Sequence, residues 1–350
     1  MFVPDWRAGN PYQELLAAAL RQQGCRVTFP KDRRWKHHIF RMPFTPDLDV
    51  LHLHWQHAYL VGESLARSVS SSLGFIVALS ILRLRGIRLV WTVHNLVSHE
   101  RRFRRLERMA SGMVARLVHR ILVHYPEAEL IVKDEYRLSP SCEVMVAPHG
   151  SFVDVYASRG EDGALAPQQA RPLRELVFLA FGQVRPYKRL EDLIEAFKGL
   201  EGEAFGLVIR GDAPDRGYAQ MLQTLADGDE RIVLHFGFVE DDLVAEIYEK
   251  ADIVVVPQTD ALTSGSLILA MSMSKPVVAA ATPHARFLLS EALEGGVLYQ
   301  PGSQMDLHRA LSEMVRRRSE LVQMGLANES RMDGFTWAHM AGIVAEAYRN

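Results

Sequence analysis

Short segments of β-branched and apolar residues alternate with helix-like segments along almost the whole chain, and this alternation limits the fold more than any other feature. The region 252–279 is the clearest example. Asp252 to Val256 reads as a buried strand, a polar turn then leads into a helix, and Lys275 to Ala279 reads as the next strand. Repeated strand–helix–strand units of this kind predict an α/β fold with parallel sheets.

The alternation occurs in two sets, and a segment between them lacks it. Residues 157–174 contain clustered Ser, Gly, Gln and Pro residues, a composition typical of a linker. The chain has 350 residues, which exceeds the size at which single cores usually stop growing. We therefore predict two Rossmann-like domains, at 1–157 and 175–330, that face each other across an interdomain cleft.

Cysteine content and hydropathy limit the cellular setting. Cys25 and Cys142 are too few for a disulfide framework, which fits a reducing cytoplasm. No N-terminal signal peptide is visible, and no apolar run reaches the roughly 18 residues that cross a bilayer. We expect a cytoplasmic protein that is soluble or peripheral on the cytoplasmic membrane.

The net charge of −2 conceals an asymmetry between the two halves. Residues 1–170 contain 22 Lys and Arg against 16 Asp and Glu, while the remainder contains 18 against 26. Seven arginines between 101 and 120 alternate with apolar residues at nearly helical spacing. This segment predicts either a helix on an anionic membrane surface or a solvated arginine-rich face. The apolar segment 73–82 could contact lipid, but we expect a buried core helix there.

The turn after the strand at 252–256 has the features of an anion site. Ser264, Gly265 and Ser266 stand where the first backbone N–H groups of a helix lack partners and carry partial positive charge. Gly265 would let a phosphate approach the main chain. An ordinary serine-capped helix is the simpler alternative if this turn is considered alone.

Two cations follow the first strand of the second domain. Arg185 and Lys188 would emerge at the carboxyl edge of the sheet, where Arg can bind a phosphate with two hydrogen bonds and Lys supplies a point charge. Together with the serine turn they predict a diphosphate site. A weaker signal, the turn Gly237-Phe238-Val239, could contact a nucleotide base.

In the first domain, the loop at 91–100 follows a strand and carries two imidazoles and a carboxylate. His94, His99 and Glu100 are candidates for a general base, although some could cap the next helix. His52 and His54 share a strand face, but no third ligand stands at a credible spacing. We therefore expect no metal site.

Four motifs in order resemble the GT-B glycosyltransferases, which are nucleotide-sugar-dependent enzymes with two facing Rossmann-like domains. The resemblance spans almost the whole length and is strongest to bacterial exopolysaccharide enzymes. The segment at 335–337 also resembles the closing segment of that family, which implies a C-terminal helix at 331–350 that crosses back to the first domain. The motifs lie at Leu51–Trp55, Trp91–Glu100, Phe181–Lys188 and Ser264–Val277.

The chain departs from the large retaining GT-B group at its two usual glutamates. Ala261 and Leu269 occupy those positions, and neither can hold a ribose or sugar hydroxyl. That group also has an arginine where this chain has Gln183. In this chain an arginine, Arg185, stands two residues later. Retention of anomeric configuration is therefore not implied.

The resemblance implies a hexosyltransferase of bacterial polysaccharide synthesis. It would move a hexose from a nucleoside diphosphate sugar to a hydroxyl of a lipid-linked glycan, without a metal or other cofactor and without a nucleic-acid partner. Gly9 and Asn10 would lie near the donor phosphates, while His94 and Glu100 would face the sugar and the acceptor, with Glu100 favoured as base. A nucleotide-sugar epimerase and a noncatalytic GT-B partner subunit are the alternatives.

Overall fold

A computed structural model describes residues 1–30, 42, 45–98, 102–138, 142–156, 176–202, 204–289 and 294–349. The chain divides into two compact units, one formed by 1–150 with 335–350 and the other by 151–334. Each unit contains a sheet of parallel strands with helices between them. The predicted α/β class with two Rossmann-like parallel sheets is confirmed.

The first unit is built on a five-stranded sheet in which the strands lie side by side in chain order. The strands are β1 Phe2–Val3, β2 Val50–Leu53, β3 Arg88–Thr92, β4 Arg120–Val123 and β5 Val144–Val146. The connecting helices are α1 Tyr12–Gln22, α2 His57–Leu60, α3 Leu65–Leu84, α4 Arg104–Leu117 and α5 Pro126–Glu135. Because the strands are parallel, their carboxyl ends meet at one edge, where His54, His94 and His124 follow β2, β3 and β4.

The last helix of the chain, α14 Trp337–Arg349, belongs to this first unit. Its residues Met340 and Val344 are buried in one core cluster with Leu16 and Leu20 of α1. Residues spaced three to four apart lie on one face of a helix, so the apolar face of α14 completes the core on this side of the first sheet.

The second unit contains a six-stranded sheet in the order β11-β10-β9-β6-β7-β8. Its strands are β6 Leu176–Phe181, β7 Phe205–Gly211, β8 Ile232–Phe236, β9 Ile253–Val256, β10 Val277–Ala280 and β11 Gly296–Tyr299. Its helices are α6 Val153–Tyr156, α7 Leu190–Lys198, α8 Arg216–Ala226, α9 Asp241–Glu249, α10 Gly265–Ser272, α11 Pro283–Leu288, α12 Gln304–Arg316 and α13 Leu321–Asp333, with 3₁₀ turns at Pro186–Lys188 and Arg318–Glu320.

The strand order reverses between β6 and β9, which pair directly. From β6 the chain proceeds outward to β7 and β8, and from β9 it proceeds the other way to β10 and β11. Loops that leave neighbouring strands in opposite directions open a crevice at the carboxyl edge of an α/β sheet, and ligands bind there. The loops in question carry the two predicted phosphate-binding segments.

The division between the units falls a few residues before the predicted boundary. The first unit ends at 150, and the helix at 153–156 belongs to the second. One contact that holds it there is the hydrogen bond from the Phe152 backbone N–H to Ser272 Oγ, at 3.0 Å. The predicted linker at 157–174 lies outside the described residues.

Two expectations about the segment 65–84 are wrong. Helix α3 is long and apolar enough to cross a membrane by length and composition, because serines and a glycine interrupt its apolar residues without adding charge. Nor is it a buried core helix, since only 33% of that apolar stretch is buried. Phe75, Leu79 and Leu82 face the core, while Leu73 and Val77 face outward.

Candidate active site

Lys188 lies in the crevice between β6 and β9 and contacts the start of helix α10. Its Nζ donates a hydrogen bond to Ser266 Oγ at 2.7 Å, and both groups line a small recess together with Phe181, Gly182 and Pro257. The side chain is buried, and this burial lowers the pKa of Lys188 to about 8. A buried cation that interacts with one neutral hydroxyl gains strongly from an anion beside it.

The start of α10 leaves its first amides available. The Ser264 side chain caps the helix by accepting from the Leu267 N–H at 3.2 Å, and the Ser264 N–H donates to His284 Nδ1 at 3.2 Å. The N–H groups of Gly265 and Ser266 come next, and the first turn of a helix offers no acceptor to such groups. A Cβ added to Gly265 would meet no atom within 4 Å, so packing leaves space beside this helix start.

The loop after β6 approaches this helix start closely because of a glycine. Gly182 has a φ of +113°, which side chains rarely adopt, and a Cβ there would lie 3.6 Å from Ser266 Oγ. Arg185, three residues on, is half-buried, and its Nε is buried without a hydrogen-bond partner among the described residues. The structure thus brings Lys188 into contact with the serine turn. Arg185 precedes Lys188 by three residues in the sequence.

The predicted base-binding turn lies at the other side of the second sheet. Gly237, Phe238 and Val239 follow β8, the edge strand, which β7 separates from β6. The Gly237 N–H donates to the Gly211 carbonyl at 3.0 Å, and the Phe238 side chain is 67% exposed. An exposed aromatic ring at a sheet edge can stack on a base, and this role stays a prediction.

In the first unit, histidines from adjacent strand ends form one buried cluster. His54 follows β2, His94 follows β3, and His124 follows β4. His54 Nδ1 lies 3.2 Å from His94 Nε2, and His94 Nδ1 lies 3.3 Å from His124 Nε2. His124 Nδ1 is 2.9 Å from the Ala147 carbonyl. The side-by-side order of the strands makes this series of imidazoles, because each contributes its histidine to the same edge.

The Ala147 carbonyl determines the direction of the hydrogen bonds in this series. A carbonyl only accepts, so His124 Nδ1 donates to it, and in neutral rings His94 then donates to His124 and His54 donates to His94. Burial is the largest cause of lowered pKa values in all three: the pKa of His124 falls to about 4, and those of His54 and His94 fall well below their ordinary value. The series is therefore neutral near pH 7 and leaves one lone pair, on His54 Nε2, which is buried without a partner among the described residues.

His94 lies inside this series and is not an isolated side chain. Both ring nitrogens bond to other histidines, and the ring stacks on Trp55 with centroids 4.3 Å apart and planes at 14°. A proton would thus reach His94 by a shift along the series. Its catalytic role stays a prediction, and the other candidates of this loop, His99 and Glu100, lie outside the described residues.

Gly9 and Asn10 lie in the loop between β1 and α1, in the first unit. The Asn10 side chain accepts from the Tyr12 N–H at 2.9 Å and so satisfies one of the free amides at the start of α1. A Cβ added to Gly9 would meet no atom within 4 Å, so packing within the protein does not require a glycine there. Their predicted place near the donor phosphates stays a prediction.

Sequence reasoning missed Glu107, a buried carboxylate on α4. It accepts from the Ser98 N–H at 2.5 Å and from Ser98 Oγ at 2.8 Å, and so fastens the loop that carries His94 to the helix. Burial raises its pKa and outweighs the hydrogen bonds from Ser98. The one signal in the sequence was an acidic residue among the arginines of this helix. The role of His124 was also missed, because the sequence does not show that its strand lies beside the strand that precedes His94.

The paired histidines of β2 do not form a metal site among the described residues. His52 and His54 stack with centroids 4.3 Å apart, but the two nitrogens of His52 lie 2.7 Å from Tyr348 Oη and 2.7 Å from Thr92 Oγ1. In the described part of the chain, no three His, Cys, Asp or Glu side chains are placed to hold an ion.

Comparisons with known proteins agree with this architecture. Residues 175–317 match the family described as glycosyl transferases group 1. The chain is 28% identical over 238 residues to a GDP-mannose:glycolipid 4-beta-D-mannosyltransferase of Xanthomonas campestris pv. campestris, an alignment that covers 66% of this chain and 61% of that protein. The chain thus spans about three fifths of the length of this relative.

Solved structures resemble the whole fold at low sequence identity. Anabaena HepE in complex with UDP superimposes with a TM-score of 0.68, 17% identity, and coverage of 89% of this chain and 81% of that one. A glycosyltransferase from Rickettsia africae ESF-5 gives a TM-score of 0.68, 13% identity, and coverage of 99% and 96%. The chain therefore carries a glycosyl transferase group 1 domain at residues 175–317, within a fold of the GT-B type.

Proposed function

We propose that this protein transfers a hexose from a nucleoside diphosphate sugar to a hydroxyl group of a lipid-linked glycan in bacterial polysaccharide synthesis. The observation that carries the proposal is the contact between buried Lys188 and Ser266 at the open start of α10. The relative that acts on GDP-mannose and a glycolipid supports this class of donor and acceptor. GDP-mannose is therefore the first donor to test.

In this reaction the bond between the sugar C1 and the diphosphate oxygen breaks, and a bond from C1 to the acceptor oxygen forms. Negative charge develops on the departing diphosphate. The ammonium group of Lys188 and the free amides of Gly265 and Ser266 would stabilise it, with the guanidinium of Arg185 on an outer oxygen. These groups would supply the positive charge that a metal ion supplies elsewhere, so the proposal includes no metal.

The acceptor hydroxyl must lose its proton as the new bond forms. We assign this proton either to Glu100 or to the series of histidines at the carboxyl edge of the first sheet, which includes His94. His54 Nε2 holds the one free lone pair of that series. A proton accepted there could move to His94 and His124 by tautomer exchange, because the three rings already share hydrogen bonds.

The proposed place of action is the cytoplasmic face of the membrane, where both substrates meet. Nucleoside diphosphate sugars are soluble anions, whereas a glycolipid stays in the bilayer. The arginine-rich first half of the chain suits an anionic membrane surface.

A thermal-shift series with nucleoside diphosphates, followed by a donor assay, tests the proposal. We expect GDP to raise the melting temperature, and GDP-mannose with a membrane extract to release GDP together with a mannosylated lipid. Conversion of the donor sugar without acceptor would identify an epimerase. Binding of GDP without any release from the donor would identify a noncatalytic partner subunit, and no response to any nucleotide would refute the proposal.

A further inference from the structure

Helix α3 carries a continuous apolar strip on its outward face. Large apolar side chains recur every four residues, with a final step of three, and each is between 42% and 87% exposed. A helix of this length extends about 30 Å. The residues of this strip, here called the α3 strip, are Leu65, Val69, Leu73, Val77, Ile81 and Leu84.

The absence of charge beside the α3 strip is unusual for a surface helix. No charged residue occurs from 68 to 82, although the outward half of this stretch is open to solvent. A helix on the surface of a soluble protein normally carries charged residues opposite its buried face. Contiguous exposed apolar surface of this kind marks a site of contact with a partner or a membrane.

The inward face keeps α3 in the fold and excludes a spanning orientation. Phe75, Leu79 and Leu82 are completely buried, and the Phe75 ring stacks on Tyr59 of α2 with centroids 4.8 Å apart. Insertion across a bilayer would remove these residues from the core of the first unit. A helix that is anchored on one side and apolar on the other can only lie along a surface.

Helix α4 runs beside α3 and supplies positive charge. The Arg102 guanidinium donates to the Glu63 carbonyl just before α3, at 3.4 Å, and Arg83 near the end of α3 donates to the Leu117 carbonyl at the end of α4. The two helices therefore lie side by side and point the same way. On α4, Met109 and Met113 are also exposed, at 70% and 53%.

The charges around this surface are mostly positive. Residues 63–117 contain ten arginines and three glutamates; of these glutamates, Glu107 is buried and Glu63 is paired with Arg67. Arg104 and Arg105 are exposed, and neither has a hydrogen-bond or ion-pair partner among the described residues. Apolar side chains that enter the acyl boundary, flanked by arginines at headgroup level, match an anionic bilayer surface.

We infer that the α3 strip, together with the exposed arginines of α4, docks this protein on a bilayer that contains anionic lipids, with α3 lying in the plane of the headgroups. A protein partner would require acidic residues opposite the arginines, whereas a bilayer supplies both the apolar depth and the negative charge. The inference extends the proposed function, because it assigns the surface through which a transferase would reach a lipid-linked acceptor.

Vesicle flotation tests this assignment directly. The full chain should float with vesicles of 70% phosphatidylcholine and 30% phosphatidylglycerol, and at least tenfold less with phosphatidylcholine alone. Leu73→Glu with Val77→Glu should lower binding at least tenfold, since both side chains are exposed and the change places charge in the strip. Arg104→Gln with Arg105→Gln should weaken binding to anionic vesicles about fivefold per arginine at low salt.

The double variant Val322→Glu with Leu326→Glu is a matched control. These residues form an exposed apolar pair with the same spacing on α13, at 62% and 51% exposure, and the variant should bind vesicles as the unchanged protein does. Thermal unfolding and GDP binding should be equal in all variants. Equal flotation with and without anionic lipid, or equal flotation of the strip variant, would overturn the inference.

Two further outcomes separate this inference from the proposed function. A protein that stays off all vesicles, but changes from dimer to monomer on Leu73→Glu with Val77→Glu, would show that the strip is a protein interface and would overturn the inference alone. Normal flotation in a protein that binds no nucleotide would support the docking surface and refute the transferase proposal alone.

Discussion

The carboxyl edges of the two sheets differ in charge and in access. In the second unit, a buried ammonium group lies beside the start of a helix, where there is space for an added Cβ at Gly265. In the first, three imidazoles bond to one another and to a backbone carbonyl, and burial keeps them neutral. Among the described residues, one edge thus holds a positive charge with no anionic partner, while the other joins its histidines to one another and to the backbone.

This difference in charge and burial indicates that the edge of the second sheet, and not that of the first, depends on a ligand. Burial makes the charged form of Lys188 unfavourable until an anion arrives, so part of the binding energy of the ligand is available to offset that cost. The histidine series needs no ligand to be stable and can instead move a proton between ordered positions. The following predictions test the two halves of the comparison.

Lys188→Met should have the largest effect on activity. We expect a fall in kcat/KM of roughly 10²–10³, the usual result of removing one group that stabilises developing charge. Stability at pH 7 should stay equal or rise by up to about 3 kcal/mol, because a lysine whose pKa falls from 10.5 to about 8 destabilises the native state at every pH below 8. Donor kinetics and urea unfolding measure the two effects.

Lys198→Met is the control for this variant. Lys198 is an exposed lysine on α7 that donates to two backbone carbonyls, and its loss should leave kcat/KM unchanged. If Lys188→Met lowered stability and activity in parallel, the lysine would serve the fold alone. Binding of GDP should also weaken as the pH rises above 8, since Lys188 then loses its proton.

Acid should destabilise the first unit through its histidines. His124 has a pKa of about 4 in the native state and 6.5 when unfolded, so the unfolded chain binds more protons between these values and stability falls as the pH falls. For His124 alone the loss amounts to about 3 kcal/mol. His124→Asn, which keeps a donor for the Ala147 carbonyl, should reduce this slope in urea unfolding at pH 7, 6 and 5.

His339→Asn removes an exposed histidine from α14 of the same unit and should keep the full slope. An unchanged slope in His124→Asn would mean that His124 binds protons in the native protein as readily as in the unfolded chain. The neutral series of imidazoles, and with it the contrast between the two edges, would then be wrong.

Gly265→Ala should have the smallest effect, but it tests most directly whether a phosphate approaches the start of α10. The added methyl group meets no protein atom within 4 Å, and alanine is favoured over glycine in a helix by up to about 1 kcal/mol, so the fold should not lose stability. The methyl group would, however, occupy space at the helix start that the proposed phosphate would approach. We expect GDP to bind about tenfold more weakly in a calorimetric titration.

Gly217→Ala provides the comparison, because it changes a glycine in the first turn of α8 that has no predicted role in binding. It should leave GDP affinity unchanged. Equal GDP affinity in Gly265→Ala would show that no phosphate approaches this helix start.

Local patterns were sufficient for most of the fold. The β-branched runs at 252–256 and 275–279 became β9 and β10, and the predicted Ser264 cap starts α10. Such features depend on residues that are close in the sequence, and periodicity reports them directly. The prediction of a buried core helix at 73–82 failed because the apolar content of a helix does not say which of its faces the rest of the chain will cover.

The residues of the candidate site also divide into those that the sequence could predict and those that it could not. Arg185, Lys188 and the serine turn could be proposed from sequence, because each follows a strand and bears phosphate-binding chemistry. The series His54, His94, His124 could not, because its members are 40 and 30 residues apart and become neighbours through strand order alone. Glu107 was missed because its partner, Ser98, carries no motif.

The sequence by itself determined that this chain is an α/β protein with two parallel sheets, and that candidate phosphate-binding residues follow its strands, since these properties follow from short-range patterns of side chains. Tertiary structure decided that β6 lies beside β9, which of the ionisable groups are buried, and which face of α3 remains open. Burial and strand order depend on contacts between distant segments, and those contacts set the pKa values and the charge of each edge.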